Sequence, residues 1–155
     1  MAIKTSTDLI IAPAHALGVT ADVDYALRYR VVRIKTVADP AGSPLTAAEH
    51  LLFVSEVPII INSCTIVPQV GTTLDGSNYA SFALATGNVA GGALATPLGT
   101  RTTQAASLVV NTATAVANGL NAAVAANQRV SLNATKVGTG VQVGVLLVEV
   151  TYQLA

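Results

Sequence analysis

The chain has 155 residues, of which 52% are hydrophobic and only 10% charged, and eight acidic residues balance eight basic ones. That length suits one compact domain with an extension, and it is enough to bury a core without disulfides or metals. The hydrophobic content excludes intrinsic disorder, and the neutral balance argues against wholesale nucleic-acid binding. Mean hydropathy is +0.59, but no apolar run reaches membrane-spanning length, and two Phe, four Tyr and no Trp cannot furnish the girdles of an outer-membrane barrel.

Charge is unevenly spread. Residues 1–75 hold twelve of the sixteen charges, and the rest of the chain holds only Arg101, Arg129, Lys136 and Glu149. The first twenty residues are weakly patterned, with turn points at Pro13 and Gly18, and read as an extended arm whose start lacks the pattern of an export signal. Residues 23–37 are rich in β-branched and aromatic side chains and predict a long strand. A turn or linker follows at Asp39-Pro40-Ala41-Gly42-Ser43-Pro44. In residues 45–53, Thr46 with Glu49 fits a capping box, which predicts one or two helical turns.

The remainder predicts strands separated by turns. Residues 57–67, bounded by Pro58 and Pro68, form a strand apolar on both faces, to be buried on both sides or turned toward another subunit. Asp75-Gly76-Ser77-Asn78 marks a turn. Residues 79–86 then alternate, with Phe82 and Leu84 on one face and Tyr79, Ser81 and Ala83 on the other. Residues 87–99, with four glycines and Pro97, read as a loop, and residues 104–112 as another strand. Residues 113–128 contain seven alanines but also Asn118-Gly119, so a short strand, a turn and a loop are preferred to a helix. Val130, Leu132 and Ala134 share a strand face, Gly138-Thr139-Gly140 is a hairpin-turn candidate, and residues 141–154 form the strongest strand. There Leu146, Val148, Val150, Tyr152 and Leu154 line one side, and Glu149, Thr151 and Gln153 the other. Many short strands with turn signals predict an all-β, antiparallel sandwich of jelly-roll type, residues 51–155, preceded by an arm or strand extension, residues 1–50.

Little in the chain carries chemistry. His15 and His50 are far apart with no Cys/His spacing for zinc. Cys64, the sole cysteine, sits mid-strand among apolar residues with no base beside it and reads as a small buried hydrophobe. Asp22 and Asp24 lack the dense spacing of a calcium loop, and the glycines at 138, 140 and 144 have neither a Rossmann nor a Walker pattern around them. Asn133-Ala134-Thr135 matches a glycosylation acceptor but no export signal accompanies it. No enzymatic activity, cofactor or metal is therefore expected. The basic cluster Arg28, Arg30, Arg33 and Lys35 has two equal readings, docking onto an acidic partner surface or a strand edge guarded by charge.

From Leu51 onward the order of segments resembles the small jelly-roll domains of tailed-bacteriophage head decoration (cement) proteins and head fibres. The resemblance rests on the proline-ended strand, the Asp75-Gly76-Ser77-Asn78-Tyr79-Ala80 step, a glycine-rich loop, the Val130-Ser131-Leu132-Asn133-Ala134-Thr135-Lys136-Val137-Gly138-Thr139-Gly140-Val141 segment, and a closing apolar strand ending Glu149-Val150-Thr151-Tyr152. It covers two-thirds of the chain. It departs at Ala126-Asn127-Gln128, where such domains often have Ala-Gly-Asp, and in lacking a proline after Gly140. The resemblance implies a homotrimer, made in the host cytoplasm, that binds the major capsid protein on the exterior of the virion, with neither nucleic acid nor membrane as partner. Arg28, Arg30, Arg33 and Lys35 become candidate capsid contacts, and Ile59, Ile61 and Leu147 candidate trimer-interface residues. The alternatives are a head-fibre or receptor-binding module, with Tyr79 and Tyr152 available to stack on a glycan, and a self-assembling minor capsid subunit. A β-sandwich hydrolase ranks last.

Overall fold

A computed structural model describes residues 29–37 by their backbone and residues 48–95 and 97–155 in full. Among these every regular element is a strand: β1 (Tyr29–Val37), β2 (Ala48–Ser55), β3 (Ile59–Pro68), β4 (Tyr79–Asn88), β5 (Gly99–Thr102), β6 (Thr114–Ala117), β7 (Ala122–Val124), β8 (Gln128–Val137) and β9 (Val145–Leu154). Sheet A has the order β1-β9-β3-β6, with β7 also on β3, and sheet B the order β2-β8-β4-β5, all antiparallel. Strands pair from the outside of the chain inward: β1 with β9, β2 with β8, β3 with β6 and β7, β4 with β5. The chain is thus one long hairpin doubled over, and wrapping that ribbon adds the β9–β3 and β8–β4 pairings that complete each sheet. This is the jelly-roll order, in agreement with the fold class expected from the sequence.

The core lies between the sheets. Phe82, Leu84, Val130 and Leu132 of sheet B face Ile59, Ile61, Ile66, Leu146, Val148 and Val150 of sheet A, each at most 2% exposed. Burying one such side chain is worth roughly 1.5–3 kcal/mol. The alternation in β4, β8 and β9 matches the period-two patterns of the sequence.

In β3 the phase changes part-way. Ile61 pairs with Tyr152 and Ser63 with Thr151, so Asn62 is an extra residue, a β-bulge. It allows Ile59 and Ile61 before it, and Cys64 and Ile66 after it, all to point inward. Leu52 is the corresponding extra residue of β2. The strand read as apolar on both sides is therefore buried on one, with Ile60 and Val67 half-buried on the other.

Five expectations are corrected. Within residues 45–53 the structure has β2 in place of helical turns. Glu49 does not cap a backbone N–H; its carboxylate bonds across the sheet. Thr46 lies outside the described residues. Residues 104–112 are not a strand: Thr72 N donates to Leu108 O, and Leu108 N donates to Thr72 Oγ1, so a hydroxyl replaces one ladder acceptor. Asn111, at φ 55°, then turns the chain. The turn at Gly138 and Gly140 exists, with φ of 61° and 76°, but it is not a hairpin, because β8 belongs to sheet B and β9 to sheet A. The stretch read as one strand over residues 141–154 is regular only from Val145. The boundary drawn at residue 50 falls inside β2, and β1 is an edge strand of sheet A.

Candidate interaction surfaces

The outer face of sheet A carries few charges on β3 and β9. Its described outward positions are Val145, Leu147, Glu149, Thr151 and Gln153 on β9 and Ile60, Asn62, Ser63, Thr65 and Val67 on β3, with Ala115 and Ala123 at the edge. Glu149 is the one charged residue among them. Leu147 is 38% exposed and pairs with Val67. A cleft of about 260 Å³ is lined by Val67, Gln69, Asn111, Val145 and Leu147, and the turn leading to Asn111 exposes Val109 and Val110. Residues of small apolar or uncharged polar character lose little solvation when covered, so such a face suits burial against protein.

The expected partner residues divide on this geometry. The β1 register sets Lys35 opposite Leu147, Arg33 opposite Glu149 and Arg30 opposite Tyr152. Lys35 and Leu147, proposed for separate contacts from the sequence, thus meet in one sheet. Arg28 lies outside the described residues. Ile59 and Ile61 are 2% and 0% exposed within the single chain, so they belong to its core and offer no surface to a trimer partner. Val67, Gln69, Asn111 and Val145 were not anticipated. Extending the outward positions of β9 back from Glu149 finds Leu147 and Val145; nothing local signals Gln69 or Asn111.

The outer face of sheet B is built differently. Arg129 Nε donates to Glu49 Oε1 at 2.8 Å, Nη2 to Gly92 O at 2.7 Å, and Nη1 to Asn88 O, while Ser131 Oγ donates to the same Glu49 oxygen at 2.7 Å. The hydrogen bond from Arg129, then that from Ser131, holds the Glu49 carboxyl below its ordinary value against a small opposing effect of burial. The guanidinium lies over Gly87, where a Cβ would stand 2.8 Å from Arg129 Cζ. Beneath this cover Ala85 and Ser131, though outward-facing, are 1% and 0% exposed.

A third surface is the open end of the sandwich, a groove of about 270 Å³ lined by Phe53, Val54, Glu56, Val57, Tyr152 and Leu154, among others. Phe53 and Tyr152 stack there, ring centroids 5.4 Å apart. Tyr79 begins β4, opposite the end of β8, whereas Tyr152 lies beside the start of β3. The two tyrosines are therefore at opposite ends of the sandwich and do not form one stacking platform.

The remaining chemical candidates stay apart. Cys64 is fully buried and desolvation pushes its thiol up to about 12, so it is protonated and shielded at neutral pH. His50 is half-buried, and His15 lies outside the described residues. Among the described residues no three His, Cys, Asp or Glu side chains converge on a metal-sized site, and no helix is long and apolar enough to cross a membrane.

No family model and no curated protein sequence matches the chain. Among solved structures it is similar to "Structure of infectious bursal disease virus Gt strain", at 14% identity and a TM-score of 0.26, over 83% of this chain. The chain spans 38% of that one's length. A likeness this distant carries no weight for function.

Proposed function

We propose that this chain is a structural subunit of a virus particle, a decoration protein that seats on the outer capsid surface as a trimer. The observation that carries the reading is the outer face of sheet A: two ten-residue strands turned outward with one charged residue, Glu149, among their described positions, and Leu147, Val67 and Val145 around a shallow cleft. A jelly roll whose β3 and β9 present so few charges outward is suited to docking by that face. The sequence resemblance to cement domains supplies the partner, a major capsid protein, and the register of β1 sets Arg33 and Lys35 beside Glu149 and Leu147 of the same face. Symmetry turns modest contacts into firm attachment, since a trimer engages several capsid subunits at once.

Light scattering of the purified protein tests the assembly, and a mass about three times 15.7 kDa is expected. Co-sedimentation with undecorated phage shells of the same source tests the docking. Leu147→Asp should abolish co-sedimentation, and a double substitution of Arg33 and Lys35 to Ala should weaken it, both without loss of the β-sheet signature in circular dichroism. A monomer that ignores shells, or a Leu147→Asp variant that binds them normally, overturns the proposal.

A further inference from the structure

Asn118-Gly119 stands in the connection between β6 and β7, and in this sequence Gly follows Asn nowhere else. Both residues are exposed, and Gly119 has φ +63° with open space where a Cβ would be. The Gly119 amide N lies 3.0 Å from Asn118 Oδ1 and donates to it. Among the described residues that N–H has no main-chain acceptor, and the Asn118 carboxamide makes no further hydrogen bond. The carboxamide is thus folded over the one backbone nitrogen able to attack it, and no neighbouring Cβ obstructs the approach.

We propose that Asn118 is a site of spontaneous modification, closing to a succinimide with Gly119 and reopening to isoaspartate and aspartate. Hydroxide removes the Gly119 amide proton, and the nitrogen lone pair forms a bond to Asn118 Cγ. The Cγ–Nδ2 bond breaks and the nitrogen leaves as ammonia, taking a proton from water. Water then adds to either ring carbonyl: cleavage of the bond from Cγ to the ring nitrogen gives aspartate, and cleavage of the main-chain carbonyl bond gives isoaspartate. No oxidant, reductant or enzyme takes part.

Asp75-Gly76 is the internal contrast. Its carboxylate oxygens accept from Ser77 N, Asn78 N and Asn78 Nδ2 at 2.8–3.1 Å. Those bonds hold the group below its ordinary carboxylate range. An ionised, tethered carboxylate is a poor electrophile, so that site stays intact.

The product alters sheet A. Leu120 N donates to the carbonyl of Asn62, the bulge residue of β3, at 2.8 Å, and β6 and β7 both pair with β3. Isoaspartate lengthens the main chain between those two strands, and either product adds a negative charge at an edge whose described outward positions are uncharged. The inference stands on this geometry alone and does not depend on the docking role.

Purified protein is held in mildly alkaline buffer, sampled over time and mapped by peptide mass spectrometry, with methylation by an isoaspartyl methyltransferase as a second readout. The peptide bearing Asn118 should gain one mass unit and become a methyl acceptor, at a rate rising with hydroxide concentration. Asn118→Gln, which would need a less favourable six-membered ring, should lose both signals. A urea-denatured sample shows the reactivity of the unconstrained chain. If native Asn118 is modified no faster than Asn111 or Asn121, while the denatured sample reacts, the fold protects the site and the proposal fails.

Discussion

The two outer faces of the sandwich start from the same period-two pattern and end differently. On sheet B, Arg129 reaches across Gly87 to the carbonyls of Asn88 and Gly92 while its Nε meets Glu49, so outward-facing Ala85 and Ser131 are sealed beneath the chain's own side chains. On sheet A, Leu147 is 38% exposed, and Val67 and Val145 beside it are half-buried around a cleft. One long cation with its polar partners covers a patch of sheet B, while Leu51 and Val137 of that face stay exposed.

The sharpest way to break this comparison is to place the same substitution on both faces. Ala85→Lys should cost about 3 kcal/mol or more in urea unfolding, because the ammonium has no solvated exit under the Arg129 cover. Leu147→Lys should stay within about 1 kcal/mol while abolishing the proposed docking onto shells. Equal costs would show that sheet B is as open as sheet A.

Removing the cover itself comes next. Arg129→Ala should cost about 1–3 kcal/mol, through lost hydrogen bonds to two carbonyls and a carboxylate, and should make residues 88–92 susceptible to limited proteolysis. Gly87→Ala should cost about 1 kcal/mol by displacing the guanidinium, and should cost almost nothing in the Arg129→Ala background. A full penalty persisting in that background would mean that the new methyl meets something other than Arg129.

The smallest effect is on pH dependence. Glu49 in the folded protein titrates below its ordinary value of 4.5, so the unfolded chain takes up a proton first on acidification. Its contribution is present above that ordinary value and is lost as pH falls through the depressed folded one. Glu49→Gln should flatten the acid limb of the unfolding midpoint, while Asp75, also depressed, leaves a residual slope in both proteins. An unchanged limb would remove Glu49 from the account.

What was legible in the sequence was legible because it was local. Phe82, Leu84, Val130, Leu132, Leu146 and Val148 announce their faces by alternation with near neighbours. The bulges at Leu52 and Asn62 were not legible, since one extra residue reverses the phase of all that follows and nothing in Ile60-Ile61-Asn62-Ser63 marks which residue is skipped. Ile59 and Ile61, trimer-interface candidates by the resemblance, lie in the core on the same side as Cys64 and Ile66 because of that extra residue. The destination of β9 escaped for a related reason: the glycines at 138 and 140 specify a turn, not which sheet the next strand joins. Arg129 and Glu49 lie eighty positions apart, and their meeting follows from strand order alone.

The doubled-over hairpin also sets a timetable. β9 follows every other described strand in sequence, yet it lies between β1 and β3 and is a ladder partner of both. Until it leaves the ribosome, sheet A has no centre, and the apolar run of β3 waits with one edge unpaired. Sheet B needs β8 in the same way, between β2 and β4. Contacts of such long sequence separation make folding slow and leave strand edges open during synthesis. A chaperone, then, would meet the growing chain as a string of sticky strands until β8 and β9 had been made.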